Sequence, residues 1–262
     1  MKNLMFFIAL FFTATVAQAA VQGKEVTYTA QGTTMKGYLA FDDAVQGKRP
    51  GVIVVHEWWG HNDYARSRAN KLAEMGYTAL AVDMYGDGKK ADHPDDAAKF
   101  MNAVISKKSL AKTRFEAGMK LLKNQKNVDA KNIAAIGYCF GGGVVLEMAR
   151  RGEPLKAVAS FHGMLGTDAP ATGDIKTKVI VFTGADDPMA PAKTVTDFKQ
   201  EMDKAHANYK VVSYPGVKHS FTNPAADDYG KRFNMPLAYN AEADKASWDE
   251  TKSFLADAFK TK

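Results

Sequence analysis

The sequence has a single cysteine, Cys139, among 262 residues, so the chain has no second thiol with which to form an internal disulfide. It has no internal repeat and no low-complexity linker. After the first 19 residues, no apolar run approaches the roughly 20 residues that a membrane-spanning helix needs. The formal net charge of +6 is spread along the chain instead of forming a block, which argues against a nucleic-acid partner.

The first residues have the three parts of a secretory signal peptide. Lys2 supplies a positive charge, residues 4–12 form an uninterrupted apolar run, and Ala17-Gln18-Ala19 is a small-x-small cleavage site. Cleavage is expected after Ala19, with Ala20 as the alternative position. The pattern predicts export to the periplasm or beyond in a bacterium, and a mature chain without a membrane span.

The mature chain alternates strand-like and helix-like segments. Predicted strands cover residues 25–29, 35–39, 51–55, 78–82, 132–137, 157–161, 178–183 and 209–214. Predicted helices cover residues 62–75, 94–105, 110–122, 142–150, 192–205 and 241–259. Such alternation predicts an α/β fold with a mostly parallel central sheet and helices on both faces. We expect one domain over residues 20–262, because no linker divides them.

A nucleophile motif stands between a predicted strand and a predicted helix. Residues 137–141 read Gly-Tyr-Cys-Phe-Gly, the G-x-nucleophile-x-G pattern with cysteine in place of serine. In that setting the nucleophile sits on a sharp turn at the edge of the sheet, next to a helix N-terminus that favours an anion. The alternative is a buried structural cysteine beside a glycine-rich turn.

An acid and a histidine follow in the order that this motif requires. Asp187 lies just beyond the predicted strand 178–183, and His219 lies beyond the predicted strand 209–214. On α/β-hydrolase folds the order is nucleophile, acid, histidine, and all three lie on loops after strands. Asp186 competes with Asp187 for the position of the acid.

The loop after the strand 51–55 supplies a second feature of this fold. An oxyanion hole takes one backbone N–H from the residue after the nucleophile and one from this early loop, which predicts Phe140 and Trp58. His56, Glu57 and His61 superficially suggest a zinc motif. Their spacing is wrong for H-E-x-x-H and they follow a strand, so no metal is expected.

With these residues in place, the chain resembles the dienelactone hydrolase family of α/β-hydrolases, over about residues 26–259. The matching segments are residues 51–60, 76–86, 136–142, 184–188 and 219–221. The resemblance implies a Cys139–His219–Asp187 triad that cleaves esters or lactones through an acyl-enzyme, without a cofactor. It favours Asp187 over Asp186, because the family's acid is followed directly by a proline-containing turn.

The resemblance also gives Glu57 a role. The family's glutamate at this position lies near the nucleophile and is thought to restrain the resting thiol until substrate arrives. Physically, a carboxylate can accept the thiol proton, yet its fixed charge disfavours the thiolate.

The sequence departs from the family at residues 222–224, Thr-Asn-Pro, where enzymes acting on the anionic dienelactone carry an arginine. The substrate is therefore expected to be a different small ester or lactone.

Aromatic residues and one further histidine are predicted to line a pocket near the triad. They are Trp59, Tyr85, Tyr138 and His162, beside Trp58 and Phe140. The partner is then a small molecule, and the protein is expected to be a monomer. Two alternatives stay open at this stage: a thioesterase or acyltransferase using the same triad, and a non-catalytic binding protein on a hydrolase scaffold.

Overall fold

The computed structural model describes residues 21–107 and 109–260, so the predicted signal peptide and its cleavage site lie outside the described residues. The strands are β1 Val21–Ala30, β2 Thr33–Asp42, β3 Arg49–Val55, β4 Thr78–Val82, β5 Val128–Tyr138, β6 Ala157–Phe161, β7 Lys178–Gly184 and β8 Tyr209–Tyr214. The helices are α1 Asp63–Glu74, α2 Pro94–Ile105, α3 Leu110–Lys123, α4 Phe140–Arg150, α5 Ala192–Lys204, α6 Ala226–Phe233 and α7 Ala241–Phe259.

The strands form one eight-stranded sheet in the order β1-β2-β4-β3-β5-β6-β7-β8. β1 pairs antiparallel with β2, and β2 antiparallel with β4. From β4 through β8 every neighbouring pair is parallel. Because parallel strands end at the same edge, the loops after β3, β5, β6, β7 and β8 meet at one side of the molecule.

Apolar side chains alternate between the two faces of the sheet. In β3, Ile53 and Val55 pack in one core cluster with residues of α3, α4 and α5, whereas Val52 and Val54 pack in a second with residues of α1 and α7. Every residue of β4 and β6 is buried, as expected for strands covered on both faces. The predicted α/β class, with a mostly parallel sheet and helices on both faces, is confirmed.

The predicted elements differ from the observed ones mainly in three ways: β1 and β5 each begin four residues earlier than predicted, α4 begins two residues earlier, and α6 is an additional helix. α4 begins at Phe140, two residues earlier than predicted. The turn at Cys139, which has a positive φ, leads directly into the helix, although the three glycines that follow Phe140 have low helix propensity. α6 was not predicted, since it has only eight residues and contains Gly230. The side chain of His93 caps α2 by accepting a hydrogen bond from the Asp95 N–H.

The described residues lack two kinds of structure. No helix there combines the length and apolar character that crossing a bilayer requires. Within the same ranges, no three His, Cys, Asp or Glu side chains cluster in a way that would hold a metal ion.

Candidate active site

Cys139 occupies a strained turn between β5 and α4. Its backbone has φ 51° and ψ −115°, a region that residues with a side chain rarely adopt. A Cβ on Gly137 would lie 2.1 Å from the Gly141 carbonyl oxygen, and one on Gly141 would lie 2.3 Å from that of Val55. Strand and helix therefore approach this closely only because both positions are glycine. The thiol is half-buried at the C-terminal edge of the sheet.

Asp187 and His219 form a buried pair on the loops after β7 and β8. The Oδ2 atom of Asp187 is 2.7 Å from Nδ1 of His219, and both side chains are at most 3% exposed. The other Asp187 oxygen, Oδ1, accepts a hydrogen bond of 2.8 Å from the Met189 N–H. Asp186 is exposed, and the aspartate that is hydrogen-bonded to His219 is Asp187.

The second ring nitrogen of His219, Nε2, is buried and has no hydrogen-bond partner among the residues that the structure describes. Burial lowers the pKa of His219, but attraction to the Cys139 thiolate and the hydrogen bond to Asp187 outweigh this effect and raise the pKa to about 10. The arrangement favours a protonated imidazole beside Cys139. A proton can then reach a group bound between Cys139 and His219.

Glu57 holds the loop that carries His219. Its Oε1 accepts a hydrogen bond of 3.1 Å from the Ser220 hydroxyl, and its Oε2 one of 2.5 Å from the Asn223 side-chain amide. Burial raises the pKa of Glu57, and the bond from Asn223 opposes the rise. The carboxylate predicted to restrain the thiol is thus hydrogen-bonded to the histidine loop, which we define as residues 219–223.

The two predicted oxyanion donors lie at a helix N-terminus and in a turn. Phe140 is the first residue of α4, where a helix leaves its N–H groups without an internal acceptor. Trp58 lies in the turn after β3 that is closed by the Gly60 N–H donating to the Glu57 carbonyl over 3.2 Å. Within residues 21–107 and 109–260, neither N–H donates to a protein acceptor.

Comparison with known proteins decides the family. A model described as "Dienelactone hydrolase family" matches residues 35–259. The chain belongs to the dienelactone hydrolase family. It is therefore a hydrolase of ester or lactone bonds, and the predicted resemblance and α/β-hydrolase fold are confirmed. The alternative of a non-catalytic binding protein is wrong.

Individual relatives cover most of the chain. The structure of the dienelactone hydrolase-like promiscuous phosphotriesterase P91 from metagenomic libraries is 34% identical, with a TM-score of 0.85, over 91% of this chain and 99% of that one. The structure of m3DLH is 36% identical, with a TM-score of 0.86, over 92% and 99%. Protein usf of Aquifex pyrophilus is 29% identical over 79% of this chain and 90% of its own.

A polar network behind the triad was not predicted from the sequence. The Thr222 hydroxyl lies 2.5 Å from the Tyr64 hydroxyl and 2.8 Å from Nε2 of His162, and the Thr222 carbonyl accepts a bond of 2.5 Å from Arg68. Nδ1 of His162 accepts the Cys139 N–H over 3.2 Å. In this hydrolase, therefore, Thr222 and His162 join the histidine loop to the turn of the nucleophile.

The predicted pocket residues of the hydrolase occupy different environments. The Tyr85 hydroxyl donates to the Trp58 carbonyl over 2.9 Å, and burial together with the nearby Cys139 thiolate raises its pKa. Trp59 is 1% exposed and packs on Trp58 and Tyr229, with ring centroids 4.9 and 4.4 Å away. His162 is fully buried and contacts the site from behind.

The structure does not bring Tyr138 to the pocket. Its ring is fully buried and stacks on Phe161 at a centroid distance of 4.7 Å, in the core cluster below α1 and α7. The pocket role predicted for Tyr138 is incompatible with this position. The residue precedes the nucleophile at the end of β5, where the alternation of a strand turns its side chain into the core.

A cavity of about 530 Å³ runs along α4 of the hydrolase, beginning at Phe140. Its apolar lining includes Ile105, Val144 and Met164, and its far end is charged. Ile105 and Met164 are two of the three large apolar side chains that the described residues expose. Apolar groups left open to solvent in a concave surface are typical of a ligand-binding surface. This cavity shares Phe140 with the site, whereas Cys139, Asp187 and His219 do not line it.

Proposed function

We propose that this hydrolase cleaves carboxylic ester or lactone bonds with Cys139 as nucleophile, His219 as acid and base, and Asp187 as the group that orients His219. The observation that carries the proposal is the 2.7 Å hydrogen bond between Asp187 and His219. Both residues lie on loops that follow parallel strands, at the same edge of the sheet as Cys139. Nucleophile, base and orienting group in this relation are the requirements of covalent acyl transfer.

In the acylation half-reaction, the Cys139 thiolate attacks the substrate carbonyl carbon. A C–S bond forms while the carbonyl electron pair moves to oxygen, and the Trp58 and Phe140 N–H groups donate to this oxyanion. When the tetrahedral intermediate collapses, the C–O bond to the alcohol breaks. The departing oxygen takes the proton from Nε2 of His219. In a lactone the same step opens the ring.

Deacylation returns the thiolate. Nε2 of His219 takes a proton from water while the water oxygen bonds to the thioester carbon. The C–S bond then breaks, releasing the carboxylic acid and restoring the Cys139 thiolate. Asp187 keeps Nδ1 protonated in both halves, so that Nε2 is the nitrogen that exchanges the proton.

The test is turnover of a panel of short esters, lactones and thioesters by the wild type and by Cys139→Ala. We expect the wild type to hydrolyse esters or lactones and the variant to lose that activity. Activity that persists in Cys139→Ala would contradict the proposal. Faster turnover of thioesters, or transfer of the acyl group to an added alcohol, would favour the thioesterase or acyltransferase alternative.

For the substrate, we propose a neutral ester or lactone with an apolar portion. Asn223, in the stretch where the resemblance calls for an arginine, is buried and bonded to Glu57, so no cation faces the substrate from there. The apolar lining beside Phe140 suits an alkyl or aryl group. A preference for the anionic dienelactone over a neutral lactone of equal size would contradict this assignment. Because P91 is a phosphotriesterase by name, a phosphotriester belongs in the panel.

We further propose that the enzyme is exported and acts in the periplasm or outside the cell as a monomer, with residues 1–19 removed. The composition of those residues supports this proposal. N-terminal sequencing of protein expressed from the full reading frame should begin at Ala20 or Val21, and cell fractionation should recover it outside the cytoplasm. An intact Met1 in the cytoplasmic fraction would contradict export.

A further inference from the structure

His56 is a fully buried histidine between the end of β3 and the turn that carries Trp58. Its Nε2 lies 3.2 Å from the Met84 N–H, and its Nδ1 lies 2.5 Å from the Glu57 carbonyl oxygen. A backbone N–H only donates, so Nε2 is the acceptor and the ring proton sits on Nδ1. Nδ1–H therefore donates to the Glu57 carbonyl. Burial lowers the pKa of His56, in keeping with a neutral ring.

The Glu57 carbonyl belongs to the same peptide unit as the Trp58 N–H. This peptide is trans, so its C=O and N–H point in opposite directions. With the carbonyl bound by His56 and by the Gly60 N–H, the Trp58 N–H is directed away from His56. The next carbonyl, that of Trp58, is held by the Tyr85 hydroxyl over 2.9 Å.

We infer that His56 is a positioning residue that fixes the Glu57–Trp58 peptide in the orientation required of an oxyanion donor. This inference rests on the proposed function, in which the Trp58 N–H stabilises the tetrahedral intermediate. A rotation of the peptide would present the Glu57 carbonyl oxygen to the oxyanion, which would repel it. The hydrogen bond from Nδ1 opposes that rotation, and Gly60 contributes the second restraint.

Two substitutions separate the two hydrogen bonds of His56. The amide nitrogen of Asn takes the place of Nδ1, so His56→Asn retains a donor to the Glu57 carbonyl. The amide of Gln reaches the place of Nε2, so His56→Gln retains only an acceptor for Met84. We expect kcat for ester hydrolysis to fall about 30-fold in His56→Gln with KM little changed, and to stay within about threefold of wild type in His56→Asn.

Alkylation of Cys139 by iodoacetamide is the second readout. This reaction uses the thiolate but generates no oxyanion, so it should proceed at the wild-type rate in both variants. His61→Asn is the matched control. It changes another buried histidine of the same loop, whose Nε2 has no partner among the described residues, and should keep wild-type kcat.

Equal kcat in His56→Gln and wild type would overturn the inference. So would alkylation that slows by the same factor as hydrolysis, because His56 would then act on the nucleophile or on the fold. If His56→Gln does not fold, Tyr85→Phe tests the other end of the turn, because it removes the hydrogen bond to the Trp58 carbonyl. We then expect a smaller loss of kcat and an unchanged alkylation rate. A parallel loss of kcat and of the alkylation rate would contradict the inference. Failure of the proposed function is separate, since it would appear as activity retained by Cys139→Ala.

Discussion

Two buried carboxylates fix the histidine loop, and their partners are of different kinds. Asp187 binds an ionisable group, Nδ1 of His219, over 2.7 Å. Glu57 binds two neutral donors, the Ser220 hydroxyl and the Asn223 amide. One carboxylate therefore influences where a proton sits, while the other determines where the loop sits. Only the first is expected to be indispensable to a reaction that moves a proton.

The largest expected effect follows from neutralising the first carboxylate. In Asp187→Asn the side-chain amide donates to Nδ1 of His219, which forces the proton onto the wrong nitrogen. We expect kcat for ester hydrolysis to fall by about 10⁴. Asp186→Asn changes the exposed neighbour and should leave kcat within about twofold. Equal losses in the two variants would remove the distinction between these aspartates.

Glu57→Gln tests the second carboxylate, with a smaller loss expected. One oxygen is replaced by an NH₂ group that faces a donor, so the histidine loop should loosen and kcat fall by about tenfold. Alkylation of Cys139 should not change, since the hydrogen bonds of Glu57 go to Ser220 and Asn223. A marked change in the alkylation rate would instead favour the restraint of the thiol by Glu57 that the family resemblance implies.

Thr222→Val removes an uncharged support of the same loop while keeping the side-chain volume. His162 and Tyr64 would lose their shared partner, and we expect kcat to fall by about fivefold. Thr222→Ser should recover most of this loss. The control is Thr251→Val, which removes a buried hydroxyl bonded to the Ser247 carbonyl in α7, away from the site. If both valine variants lose kcat equally, Thr222 is only a structural residue.

The smallest effects concern stability as a function of pH. The folded-state pKa of His219, about 10, exceeds the unfolded value near 6.5, so its contribution to stability is full below about pH 6.5 and is lost as the pH rises toward 10. Glu57 also has a raised folded pKa, so its contribution is lost with rising pH from about 4.5 upward. Denaturant unfolding of wild type, His219→Gln and Glu57→Gln should reveal these two windows. Identical pH dependence in the two variants would contradict them.

Sequence patterns were sufficient to predict the triad, because its position follows from the order of strands and helices along the chain. Cys139, Asp187 and His219 each follow a strand of one parallel sheet, so their shared edge was predictable from the alternation of elements. The resemblance supported the choice of Asp187 over Asp186, and the contact with His219 is visible only in three dimensions. Strands β4, β6 and β8 matched the predicted bounds because β-branched or apolar runs end sharply there.

Long-range contacts were beyond sequence patterns. Arg68 reaches the Thr222 carbonyl across 154 residues of chain, and Glu57 reaches Asn223 across 166. No periodicity encodes such pairs, so the supports of the histidine loop were missed. Tyr138 was misplaced for a related reason: proximity to Cys139 in sequence says nothing about which face of the sheet its ring occupies.

The lone cysteine has a practical consequence. Cys139 is the only thiol in the chain and is half-exposed at the turn. A coloured thiol reagent should therefore react with the native protein once per molecule, so the reagent consumed measures the number of accessible thiols. The ratio of reagent consumed to protein then gives the fraction of molecules that carry a free, accessible thiol in any preparation. Turnover rates from different variants can thus be normalised to sites, and an oxidised fraction is detected before it is mistaken for a slow enzyme.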